Sequence, residues 1–178
     1  TDNDNSGGFI VSYKNGKKIY YDSYGLLEKE IDSNGNQTVF NKTKGRVSSI
    51  KLKTSETIQI KRNSSNYITS ISGNVSGNAA YVYSGSSLVS VVNNENLKYG
   101  YAYDSTGLLS KITKADGNNI SIKHENNSKM GKKVVSKIIN ENGDAENFSY
   151  KPEDKTFYYT NSIGIQTKYI YNENGNTI

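Results

Sequence analysis

Residues 20–36 read YYDSYGLLEKEIDSNGN, and residues 102–118 read AYDSTGLLSKITKADGN. At this constant offset of 82, Tyr21, Asp22, Ser23, Gly25, Leu26, Leu27, Lys29, Gly35 and Asn36 meet the same residue types in the second copy. A chain that repeats itself at a fixed offset is assembled from one recurring supersecondary unit, which constrains its fold more than any single motif does. Weaker copies fill the gap. A strand-end dipeptide recurs at Tyr21-Asp22, Phe40-Asn41, Ile60-Lys61, Tyr83-Ser84, Tyr103-Asp104, Lys123-His124, Tyr150-Lys151 and Tyr171-Asn172, in steps of 19, 20, 23, 20, 20, 27 and 21 residues. The offset of 82 is four such steps.

Each unit reads as strand, turn, strand, turn. Segments such as TIQIKR, AAYVY, YGYAY, KVVSKII and KTFYYT are short, rich in Val, Ile, Thr, Tyr or Phe, and often alternate in polarity. Between them Asn or Asp precedes Gly in KNGK, SNGN, DGNN, ENGD and ENGN, pairs that accept the positive φ of a tight hairpin turn. No capped window holds an apolar period of 3.6 residues, so helix is expected to be nearly absent. With 33% hydrophobic residues, no Trp and 15 Tyr, the chain cannot fill a thick aliphatic core. Its burial must come from tyrosines and β-branched side chains on pleated surfaces. The expected fold is all-β: a polar leader over residues 1–8, then about eight antiparallel β-hairpin repeats over residues 9–178, forming a curved, twisted sheet strip.

In the best copy, Tyr99, Tyr101 and Tyr103 share one strand face while Gly100 and Ala102 leave the other almost bare. Asp104 follows the strand, where a short carboxylate accepts backbone N–H groups, and Gly107 tolerates positive φ. Asp22, Gly25, Gly35, Asp104, Gly107 and Gly117 are therefore expected to be structural turn residues. These motifs resemble the YD-repeat (Rhs) family, whose unit is roughly Tyr-x-Tyr-Asp, two residues, Gly-x-Leu, a short strand and Gly-Asn. The resemblance covers residues 19–178. It implies a segment of a large secreted or cell-surface, cell-wall-associated bacterial protein, a non-catalytic scaffold or toxin-enclosing shell. The implied partners are the remaining repeats of the parent protein and an enclosed toxin domain.

A different class of function is a cell-surface module that binds a glycan or a surface protein through a tyrosine-rich face, for which Tyr81, Tyr83, Tyr99, Tyr101, Tyr103, Tyr169 and Tyr171 are the candidates. An enzyme is the remotest reading. The single His124 has no second imidazole or thiol beside it, and the carboxylates pair only locally, as Glu28/Glu30, Asp144/Glu146 and Glu153/Asp154. No cofactor is expected. Asp2, Asp4 and Ser6 open a calcium-loop spacing, but Tyr13 stands where the loop needs its bidentate Glu. The absence of Cys excludes disulfides and thiolate zinc sites. The charge of +5 is spread over scattered lysines without interleaved aromatics, so nucleic acid is not an expected partner. No apolar run reaches the ~20 residues of a membrane helix. Thr1 opens no signal peptide, and the chain reads as an excised or processed segment.

Overall fold

The computed structural model describes residues 2–3, 7–74 and 77–178. They contain seventeen strands and a single 3-10 turn at Pro152–Asp154. The chain divides into two compact units, Thr1–Val82 with Val92–Asn96, and Tyr83–Val91 with Leu97–Ile178.

In the first unit, β1 (Asp2–Asn3), β2 (Phe9–Ser12), β3 (Lys18–Tyr21), β4 (Leu27–Ile31), β5 (Gln37–Thr43), β6 (Arg46–Lys51), β7 (Thr57–Arg62), β8 (Ile68–Ser72) and β9 (Asn78–Ser84) follow one another, and each pairs antiparallel with the next. The backbone of Asp2–Asn3 thus joins β2 as a strand within the segment expected to be a leader. After β10 (Ser87–Val92), the second unit holds β11 (Lys98–Tyr103), β12 (Leu109–Thr113), β13 (Asn119–Asn127), β14 (Lys132–Ile139), β15 (Ala145–Lys151), β16 (Thr156–Thr160) and β17 (Gln166–Ile170), each paired antiparallel with the next. The all-β array of antiparallel hairpins read from the sequence is what forms.

Burial is shallow. Among the described residues only Ile19 and Val134 are buried hydrophobics, each 9% exposed. Alternation explains this: along β9 the tyrosines are partly buried while Asn78, Ala80, Val82 and Ser84 are exposed. Other strands, such as β4 and β8, are partly buried along their whole length.

The dominant turn spans five residues. At the first copy, Asp22 N–H donates to Leu26 O (2.9 Å) and Gly25 N–H to Asp22 O (2.9 Å). Gly25 alone takes positive φ there, +76°. The same pair of hydrogen bonds closes the turns that begin at Tyr13, Asp32, Leu52, Asn63, Asp104, Lys114, Asn140, Asn161 and Asn172. The residue before Gly, such as Asn34 or Asp116, keeps negative φ, contrary to the expectation that Asn-Gly and Asp-Gly pairs both bend with positive φ. The fourth turn residue absorbs the strained conformation by itself, which is the geometry of a type I turn closed by a left-handed residue. A two-residue turn with both φ positive occurs at Lys44-Gly45 instead.

Candidate functional site

The first residue of the turn carries its chemistry. Asp104 Oδ1 accepts from Thr106 N–H (2.8 Å), Thr106 Oγ1–H (2.7 Å) and Leu108 N–H (3.0 Å). Asp22 Oδ1 accepts from Tyr24 N–H (3.0 Å) and Leu26 N–H (2.9 Å), and Asp32, Asn63, Asn140, Asn161 and Asn172 repeat that two-donor pattern. A short polar side chain thereby satisfies two turn amides that a strand cannot reach. Gly107 (φ +81°), Gly35 (+80°) and Gly117 (+87°) each sit at the fourth position of such a turn.

These donors hold the carboxylates well below their ordinary range. For Asp104 the Thr106 hydroxyl is the largest influence, followed by the Leu108 amide; for Asp22 the Lys42 ammonium leads, followed by the Leu26 amide. A carboxyl depressed in the folded state stabilises the fold fully above its unfolded value of about 3.9, and that contribution is lost as pH falls toward the lowered folded value. The melting temperature is expected to fall below about pH 4, and the Asp22→Asn, Asp104→Asn double variant to show a shallower acid slope. Parallel thermal melts from pH 7 to 2 check this, and equal slopes would refute it.

Five of the hairpins carry a bulge on the strand that follows their turn. Register shifts lie at Tyr20/Tyr21, Asn41/Lys42, Lys61/Arg62, Ala102/Tyr103 and Lys123/His124. The residues after the bulge, Tyr21, Lys42, Arg62, Tyr103 and His124, are spaced 21, 20, 41 and 21 apart. The dipeptides equivalent to Tyr21-Asp22 are therefore Lys42-Thr43 and Arg62-Asn63, two residues later than the apolar pattern suggests, and His124-Glu125, one residue later. In all five the extra residue lies on the returning strand, at Glu28, Ser48, Thr69, Ser110 and Ser136.

Two residues after bulges act as straps to the preceding hairpin. Lys42 Nζ donates to Asp22 Oδ2 (2.8 Å) and to Leu26 O (3.1 Å), and Tyr103 O–H donates to Leu88 O (2.8 Å). The Tyr of the best YD copy thus ties one returning strand to the next hairpin. Asp104 receives Lys133 Nζ at 3.5 Å. Sequence reasoning misses these straps; the residue type that precedes each turn, set against the bulge, is the signal that finds them.

The candidate tyrosines are dispersed. Tyr81, Tyr83, Tyr99, Tyr101, Tyr103, Tyr169 and Tyr171 are all partly buried. The residues that alternate with them at high exposure include Val82 and Ala102. Tyr169 stacks on Phe157 with ring centroids 4.6 Å apart. Asp144 and Glu146 line a cleft of only about 120 Å³, Glu30 pairs with Lys17 at 3.1 Å, and Glu153 and Asp154 lie in the exposed 3-10 turn. Among the described residues no three His, Asp or Glu side chains gather as metal ligands. Of the calcium candidates, Asp4 and Ser6 lie outside the described residues, and Asp2 is described only by its backbone in β1.

A family model, Teneurin YD-shell, matches residues 5–178. The chain belongs to that family. No curated protein matches it. Similar solved structures are the crystal structures of TcdB2-TccC3-TEV (14% identity, TM-score 0.36, covering 91% of this chain and 12% of that one) and TcdB2-TccC3-Cdc42 (14%, 0.27, 96% and 14%). A third is TcdB2-TccC3 (14%, 0.28, 96% and 15%). This YD-shell chain therefore spans only 12–15% of the length of those chains. No helix among its described residues is long and apolar enough to cross a membrane.

Proposed function

We propose that this chain is a stretch of non-catalytic wall in a larger bacterial YD-repeat protein, secreted or displayed at the cell surface, where it joins further repeats to surround a toxin domain of the same polypeptide. The family match over residues 5–178 supports it. The observation that carries it is the strap across successive hairpins, Lys42 to Asp22 and Leu26, and Tyr103 to Leu88. A wall needs each repeat fixed to its neighbour, and where burial is shallow these straps add to the backbone ladders that join adjacent hairpins. Of the side chains that a catalytic reading would use, Glu30 pairs with Lys17 and Asp144 accepts from Asn140 within its own turn. The partly buried tyrosines are spent on packing, so glycan recognition gains no support from them.

Excision of residues 9–178 from the parent protein tests this reading. The enclosed domain is expected to become sensitive to added protease while remaining resistant in the intact protein. Unchanged resistance after excision would refute the wall role.

A further inference from the structure

The sequence holds 22 Lys and Arg residues, of which only Arg46 and Arg62 are arginines, and both line one cleft of about 460 Å³. The cleft exists because β6 and β7 part company. Their pairing runs from Lys51↔Thr57 to Ser49↔Gln59, whereas β6 starts at Arg46 and β7 ends at Arg62. Its walls include Thr43, Lys44, Arg46, Val47, Ile60 and Arg62, and no Asp or Glu.

The preceding step of the array has the same construction. Pairing of β4 with β5 stops at Lys29↔Val39, and beyond that point Lys42 crosses to the Asp22 carboxylate at 2.8 Å. Matched by their bulges, Arg62 stands where Lys42 stands, and Thr43 stands where Asp22 stands. The second cleft therefore keeps the cation and has lost its carboxylate. The consequence is visible at Arg62: Nη1 donates to Asn66 O at 3.3 Å, while Nε is buried without a hydrogen-bond partner among the described residues. A buried guanidinium N–H left unpaired is costly, and a planar fork of N–H donors suits a carboxylate in bidentate geometry better than an ammonium does.

We propose that this cleft binds a carboxylate supplied by an acidic peptide segment of a partner, with Arg62 at its floor and Arg46 and Lys44 at its rim. A carboxylate is the ligand this frame already accepts one repeat earlier, from Asp22. Its planar oxygens match the fork of guanidinium N–H donors, and the apolar Val47 and Ile60 limit how much water competes at the floor.

The test is a titration of the ¹⁵N-labelled 178-residue chain with the peptide acetyl-Gly-Asp-Glu-Asp-Gly-amide, read at the two arginine Nε–H resonances, which the sequence makes assignable with one variant. Both resonances are expected to shift saturably, and Arg62→Gln to weaken binding by about tenfold or more, the usual effect of removing a charge-assisted hydrogen bond. Thr43→Asp supplies the missing carboxylate within the chain and is expected to abolish peptide binding with Arg62 intact. It stays decisive even where Arg62→Gln fails to fold. The proposal is overturned when the Arg62 Nε–H resonance does not move, or when Thr43→Asp binds the peptide like the original chain. It is equally overturned when inorganic phosphate or the Asn/Gln form of the peptide binds as tightly as the acidic one.

Discussion

Gly77→Ala is expected to destabilise the chain by about 2–5 kcal/mol, among the largest effects of any single methyl group here. Two costs combine. Gly77 has φ +74°, a conformation that costs an L residue roughly 1–2 kcal/mol. A Cβ built there would also lie 2.5 Å from the Cβ of Asn94, an atom fixed to its backbone and unable to rotate away. Overpacking of that kind typically adds about 1–3 kcal/mol. Gly107→Ala separates the two costs, because Gly107 has φ +81° but nothing within 4 Å of the point its methyl would occupy, so about 1–2 kcal/mol is expected there. Asn94→Gly in the Gly77→Ala background should recover the steric share and leave the conformational one. Urea unfolding of the variants measures both. Equal losses at Gly77 and Gly107 would show that Asn94 yields without cost.

That contrast bears on how much of the molecule the sequence discloses. The period, the hairpins and the roles of Asp22, Asp104, Gly25 and Gly107 follow from local chemistry, since turn residues act within five positions of themselves. β15 escapes such a reading, because AENFSYK has no Val, Ile or Thr to mark it as a strand. The bulges are hidden as well. The extra residues lie on the returning strands, Ser48 after NKTKG and Thr69 after IKRNS, and nothing there announces the shift until the partner strand fixes the register. The straps and the arginine cleft depend on it, so both are illegible for the same reason. The long hairpin of β13 and β14 and the 3-10 turn at Pro152–Asp154, closed by Lys155 at φ +48°, explain why the period drifts between residues 124 and 164.

Where the period drifts, aromatic packing takes over from turn chemistry, and Phe157→Ala is expected to cost roughly 2–3 kcal/mol. In β16, Phe157 lies directly opposite Tyr150 on one side and Tyr169 on the other. Its ring stacks on Tyr169 at 4.6 Å with an interplanar angle of 7°, and on Tyr150 at 6.0 Å and 27°. A fully buried Phe→Ala change costs about 3–5 kcal/mol; partial exposure lowers that figure, and two lost aromatic pairs at about 0.5–1.5 kcal/mol each restore part of it. Burial pushes the Tyr150 phenol above its ordinary pKa, so removing the neighbouring ring should also move Tyr150 ionisation back toward 10 in a spectrophotometric titration. Because a repeat array transmits a local defect mainly to adjacent units, hydrogen exchange should accelerate over residues 145–170 and stay unchanged over β2 to β8. A uniform acceleration would mean that the chain unfolds as one cooperative body, and a Tyr150 titration left in place would mean that Phe157 does not shield it.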